Sequence, residues 1–86
     1  MSDKIEQVGK GRKASEILDN EVIKEAFAVL EEAYINDWKT SKVDDVVKRE
    51  KAYARMSVLF DFRAQLQSFV DTGKIAGKQL EKSTKI

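Results

Sequence analysis

Apolar residues recur at spacings of three and four along most of this chain, which is the repeat of one face of an α-helix. Two long stretches show the pattern, residues 20–39 and residues 42–72, and together they predict an all-α fold. The first stripe is Ile23, Ala26, Phe27, Leu30, Ala33, Tyr34 and Trp38, and the second is Val46, Ala52, Tyr53, Met56, Leu59, Phe60, Leu66, Phe69 and Val70.

The polar break at residues 38–41 predicts a turn between the two helices. Ser41 stands three residues before Asp44, which is the spacing of a helix-capping pair, and Gly73 is a natural stop for the second helix. The sequence therefore predicts a long antiparallel helical hairpin. With the turn near residue 40, Glu32 lies level with Arg49 and Glu25 with Arg55.

The segment before the hairpin predicts a short helix over residues 12–18, with Ala14, Ile17 and Leu18 on one side. Asp19 or Asn20 can cap the next helix and so separate the two, and one continuous helix through this point is the alternative. The predicted organisation is a flexible arm over residues 1–11 with two glycines, a helical domain over 12–73 and a basic tail over 74–86.

Charge is divided between the two long helices. Residues 15–37 contain seven acids and one lysine, whereas residues 38–63 contain seven basic residues and four acids. Opposite charge favours antiparallel pairing of neighbouring helices, although each exposed ion pair contributes only about 0–1 kcal/mol. Charge is therefore expected to set the orientation of the helices more than their stability.

Two helices cannot cover each other's apolar sides completely, so part of the stripe is expected to contact another chain. The longer second helix exposes its distal apolar residues unless the 12–18 segment folds back over them. The expected partners are larger proteins or a second copy. The predicted protein interface consists of Trp38, Phe62, Leu66, Phe69 and Val70.

Residue types argue against catalysis. The 86 residues form one domain and contain no histidine and no cysteine, which excludes histidine relays and thiol nucleophiles. We expect no catalytic residues, no cofactor, no metal site and no small-molecule substrate. No apolar run reaches the roughly 20 residues that span a membrane, so no membrane partner is expected. Lys10, Arg12 and Lys13 are candidate phosphate contacts, which would support weak, salt-dependent nucleic-acid binding.

The run over residues 12–27, with Leu30-Glu31, Trp38-Lys39-Thr40 and Lys48-Arg49-Glu50, resembles small helical proteins of tailed bacteriophages that are often encoded near head and packaging genes. This resemblance covers about residues 12–80. It implies a role in the virion or its assembly, on portal, capsid or head–tail connector proteins, and a location in the virion or the host cytoplasm. It implies no catalytic residues.

The expected function is thus that of a non-enzymatic bacteriophage structural or assembly protein. One alternative is a small inhibitor of a host enzyme or defence complex, which would act through an acidic helix face. The other is a nucleic-acid-binding accessory protein. The acidic face would consist of Glu21, Glu25, Glu31 and Glu32.

Overall fold

The computed structural model describes residues 3–84, and every regular element in this range is an α-helix. Helix α1 covers Lys4–Asp19, α2 covers Glu21–Thr40 and α3 covers Val46–Thr84. The all-α class is therefore confirmed. With 39 residues, α3 is the longest element, and at about 1.5 Å per residue it measures roughly 58 Å.

Short polar side chains begin and separate the first two helices. Asp3 caps α1 because its Oδ1 accepts a hydrogen bond from the backbone N–H of Glu6, at 2.8 Å. Helix α1 ends where Asn20 adopts an extended conformation, and the Asn20 N–H donates to the Ile17 carbonyl, at 3.1 Å. The predicted break is confirmed at Asn20, which excludes one continuous helix.

Residues 41–45 connect α2 to α3, and Asp45 rather than Ser41 caps the second long helix. The Oδ1 of Asp45 accepts from the backbone N–H of Lys48, at 3.1 Å. The Ser41 hydroxyl instead donates to the Trp38 carbonyl, at 2.6 Å, and so satisfies an acceptor at the end of α2. The predicted Ser41 cap is wrong for this reason, and the helix begins at Val46 instead of residue 42.

Both ends of the chain are more helical than the sequence predicts. Residues 4–11 belong to α1, so they are not an arm, and α3 continues through Gly73 to Thr84 instead of ending there. Gly73 keeps helical geometry, because no glycine in the described part of the chain has a positive φ. The first two residues of the predicted arm and the last two of the predicted tail lie outside the described range.

The chain divides into two compact units, and α3 contributes to both. The first unit combines residues 4–20 with residues 63–84. Its core is formed by Ala14, Leu66 and Val70, all at least nine-tenths buried, and Leu18 and Phe69 pack against it. The N-terminal helix therefore covers the distal apolar residues of α3. The sequence predicted that these residues would be buried if the 12–18 segment folded back over them.

Helices α1 and α3 approach most closely at two glycines. A methyl group built on Gly11 would lie 2.8 Å from the Phe69 carbonyl oxygen and 3.0 Å from the Cα of Gly73. A methyl group on Gly73 would lie 2.9 Å from the Gln7 carbonyl oxygen. These distances are shorter than carbon contacts allow, so the two backbones can touch only because neither residue has a side chain.

The second unit consists of residues 21–62. Its buried side chains are Phe27 of α2 and Ala52 and Leu59 of α3. The Phe27 ring packs against Phe62 with centroids 6.0 Å apart and an interplanar angle of 47°. The predicted register is therefore wrong, because it placed Phe27 level with Ala54. The connection between α2 and α3 covers residues 41–45, beyond the predicted turn near residue 40.

Replacing single glycines of α1 by alanine should distinguish two effects on the free energy of unfolding, the steric cost at the helix contact and the gain in helix propensity. Gly11→Ala is expected to lower the free energy of unfolding by about 1–3 kcal/mol, because the added methyl group overpacks the crossing. Urea unfolding followed by far-ultraviolet circular dichroism measures this change.

Gly9 provides the matched control in the same helix. Nothing lies within 4 Å of a methyl group built there. Gly9→Ala should therefore raise the free energy of unfolding by about 0.5–1 kcal/mol, as expected when a helical glycine is replaced. Equal stability of the two variants would show that the backbones do not touch at Gly11.

Candidate interaction surfaces

The described chain exposes more large hydrophobic side chains than it buries. Seven hydrophobic residues are buried, and four of them have side chains of the size of valine or larger. Fourteen hydrophobic residues of this size or larger are at least 40% exposed. Surface hydrophobic residues are ordinary when scattered, but contiguous ones mark contact sites. The arrangement of the exposed residues on each helix is therefore what identifies a candidate surface.

Trp38 lies in the last turn of α2, and 49% of it is exposed. Its backbone is fixed, since its carbonyl accepts from both the hydroxyl and the N–H of Ser41. A half-exposed indole on a well-held backbone can bury a large apolar area on a partner at little entropic cost, which is why tryptophan is frequent at the centre of interfaces. Trp38 thus remains a candidate contact.

The other predicted interface residues do not form one surface with it. Phe62 is 56% exposed, but one side of its ring contacts Phe27. Leu66 and Val70 are buried in the first unit, where Ala14 of α1 packs on them. Placing these two in the interface was wrong, because the segment that contains Ala14 folds back over α3, which is the one condition under which they were expected to be buried.

Phe69 is partly buried beside the same cluster, and Lys10 covers its ring. The Lys10 Nζ lies 5.3 Å from the ring centroid, within the range of a cation–π contact. An ammonium group in this position is engaged with α3 rather than directed to a phosphate. Phe69 is therefore a packing residue in the first unit.

The three candidate phosphate contacts of α1 do not share one face. Successive residues of a helix are rotated by about 100°, so Lys10 and Arg12 flank Gly11 on opposite sides, whereas Lys13 lies about 60° from Lys10 and lines the same shallow pocket. Arg12 and Lys74 line a shallow cleft of about 250 Å³ beside the two glycines, whereas Lys10 lines a different one. The three basic residues therefore do not form a single phosphate-binding surface.

Acidic residues of α2 do share a face. Glu21, Glu25 and Glu32 are all exposed and lie within about 40° of one another around the helix. Glu21 also approaches Lys24, with 3.9 Å between the carboxylate and the Nζ. Glu31 lies about a quarter turn away and is partly buried, so it does not belong to this face.

A second apolar stripe on α2 was assigned wrongly from the sequence. Ala26, Leu30 and Ala33 were counted with the core stripe, yet all three are exposed. Val22 and Val29, which are 72% and 58% exposed, form with Ala26 and Ala33 a row with spacings of four, three and four, and Leu30 lies beside it. These spacings are those of a helix–helix seam, and they were the signal that could have identified the row.

Helix α3 carries a similar exposed row in the second unit. Val47 and Val58 are 63% and 68% exposed, and Ala54 between them is exposed as well. Tyr53 is also exposed, but it lies on a different side of the helix. The second unit therefore presents apolar rows on both of its helices.

Neither a cluster of metal ligands nor a membrane-spanning helix is found within residues 3–84. No group of three or more acidic side chains within residues 3–84 is placed to hold a metal ion. None of the helices in this range has a stretch apolar enough to cross a membrane. The chain matches no protein-family model, and neither a curated protein nor a solved structure is similar enough to count as a match.

Truncating two residues of the predicted interface should show, from the loss of stability, which of them belongs to the core and which to the surface. Leu66→Ala is expected to lower the free energy of unfolding by about 2–5 kcal/mol, because it leaves a cavity under α1. Phe62→Ala should cost only about 0.5–1.5 kcal/mol, mainly from loss of the ring pair with Phe27. Urea unfolding compares them, and equal costs would contradict the assignment of Leu66 to the core.

Proposed function

We propose that this chain is a non-enzymatic structural or assembly protein of a tailed bacteriophage that docks on portal, capsid or head–tail connector proteins. The observation that carries the docking role is the excess of exposed large hydrophobic side chains over buried ones. The assignment to a phage rests on the sequence resemblance of residues 12–80. The proposed locations are the virion and the host cytoplasm.

Docking would use Trp38 as an anchor. It is half exposed at the end of α2, and Val43 in the adjoining connection is 88% exposed. Apolar burial there would supply affinity, while the acidic α2 and the more basic α3 would set the orientation of the complex. No chemistry is needed of the chain in this role, which agrees with the absence of histidine and cysteine from its sequence.

The proposal includes an antiparallel hairpin of α2 and α3. A five-residue connection and the contact between Phe27 and Phe62 support this arrangement. In such a hairpin the start of α2 lies beside the middle of α3, and the end of α2 lies beside its first turns. The Trp38 end and the Phe27 end would then present different residues to a partner.

Spin-label distances test the hairpin directly, because the chain has no cysteine of its own. The pair Lys24→Cys and Asp61→Cys should be close, whereas position 51 lies about 15 Å farther along α3 at ~1.5 Å per residue, so that the Lys24→Cys and Lys51→Cys labels should be roughly 10 Å farther apart. All three positions are exposed, so labelling should leave the fold intact. Electron–electron double resonance measures both distances, and the reverse order would exclude an antiparallel pair.

Capture from an infected-cell lysate tests the docking role. We expect the tagged chain to recover portal, capsid or connector proteins in a fixed ratio, as quantified by mass spectrometry, and Trp38→Ser to reduce that recovery at least about tenfold, as for an interface anchor. Ile75→Ser is the matched control, since Ile75 is 59% exposed on α3.

The acidic face of α2 supports a second candidate, an inhibitor of a host enzyme or defence complex. Glu21, Glu25 and Glu32 are aligned and solvent-exposed, as a surface that mimics phosphates would require. The same capture experiment separates the two candidates. Recovery of one host enzyme without virion proteins, abolished when these three residues are changed to glutamine, would replace the assembly role.

A further inference from the structure

The second unit exposes more large hydrophobic side chains than it buries. Within residues 21–62 the buried hydrophobic residues are Phe27, Ala52 and Leu59, whereas eleven large ones are at least 40% exposed. Contiguous exposed apolar residues mark contact sites, so their arrangement on the two helices indicates where another chain can pack.

The exposed apolar rows of the second unit fall on one side of the proposed hairpin, on which this inference rests. In an antiparallel helix pair, a local two-fold axis runs perpendicular to the plane that contains both helix axes. Two side chains, one on each helix, that are rotated by the same angle and in the same sense from the direction of the helix–helix contact therefore lie on the same side of this plane. Measured from Phe27 on α2 and Leu59 on α3, both rows lie roughly 60–160° away in the same sense. We call this side the valine face; it consists of Val22, Ala26, Val29, Leu30 and Ala33 of α2 and Val47, Ala54, Val58 and Phe62 of α3.

Charge indicates which surface can cover the valine face. Residues 21–40 contain five acids and two basic residues, whereas residues 46–62 contain four basic residues and two acids. Two copies can pack against each other through this face, related by a two-fold axis. If that axis is parallel to the helices, each α2 lies on the α3 of the other copy, so that opposite charges meet. Stacking about the perpendicular axis would place α2 on α2 and bring like charges together.

Two charged residues lie within the face itself. Asp37 of α2 and Lys51 of α3 have the same rotation as the valine rows, and in the hairpin they lie at about the same level. In the stacked arrangement Asp37 would lie opposite Lys51 of the partner subunit. The pair occurs twice because the two-fold axis repeats every contact.

We infer that a second copy of this chain covers the valine face, in a two-fold dimer in which each α2 packs on the partner's α3. The second unit then becomes half of a four-helix bundle, and its apolar rows form the seam between the two hairpins. Trp38 is not a member of the face, so the dimer leaves it available to a larger partner.

Sedimentation velocity over a concentration series tests the dimer. The wild-type chain should sediment with twice its 9.8 kDa mass. Val29→Glu combined with Val58→Glu should raise the dissociation constant at least about a hundredfold, because the dimer would bury four unpaired carboxylates. Helicity should be unchanged, since both side chains are more than half exposed within one chain.

The matched control places the same charges on the same helices but on another side. Ala28 and Tyr53 are exposed and lie outside the valine face. Ala28→Glu combined with Tyr53→Glu should therefore leave the dissociation constant within about twofold, as expected for substitutions remote from a contact. A monomeric wild-type chain, or equal effects of the two double variants, would overturn the inference.

A charge exchange tests the orientation. Lys51→Glu and Asp37→Lys should each weaken self-association several-fold, because each brings two like-charge pairs together. Mixing the two variants should restore dimers that contain one copy of each, since both intermolecular pairs are then of opposite sign. Native mass spectrometry identifies the mixed dimer, and a statistical mixture would exclude the packing of α2 on the partner's α3.

Failure of the dimer and failure of the docking function are distinguishable. A monomeric chain that still captures virion proteins would overturn only the dimer, and a dimer that captures none would overturn only the docking role. The spin-label distances test the hairpin separately in the Val29→Glu and Val58→Glu background, where self-association is removed.

Discussion

Close contact between the backbones at Gly11 and Gly73 determines how α1 lies on α3. Any side chain at either position would meet a carbonyl oxygen or a Cα within about 3 Å. With both absent, the helices approach closely enough for Ala14, a small residue, to reach Leu66 and Val70. The contact thus turns two apolar residues of a long helix into core residues, whereas the exposed apolar rows described above lie in the second unit.

The sequence predicts the helical class and the break at Asn20 because both depend on local rules, namely apolar spacing and capping. It does not predict the first half of α1, because the closest contact there is made by Gly11, which has no side chain for apolar periodicity to register. Asp3 followed by Glu6 was a local signal for that helix start, and the structure uses it. Gly73 was predicted to end α3, because glycine is typical of helix ends, but it lies inside the helix.

The candidate surface is less predictable than the fold, because exposure depends on what each helix packs against. Leu66 and Val70 look identical in sequence to exposed apolar residues until α1 is known to cover them. Ala26 and Ala33 fit the core stripe by spacing, but the direction of Phe27 leaves them outside it. The partial exposure of Trp38 could be anticipated from the sequence, because its position beside the turn limits the neighbours that can bury it.

The two glycines in α1 also bear on the order in which the chain folds. Each glycine inside a helix costs about 0.5–1 kcal/mol relative to alanine, and the 16 residues of α1 barely exceed the roughly 12–15 below which an isolated helix is marginal in water. Helix α1 should therefore gain its structure only when α3 is already present as a template. Gly11 thus permits the close contact with α3 and, together with Gly9, makes the N-terminal helix the last to form and the first to open.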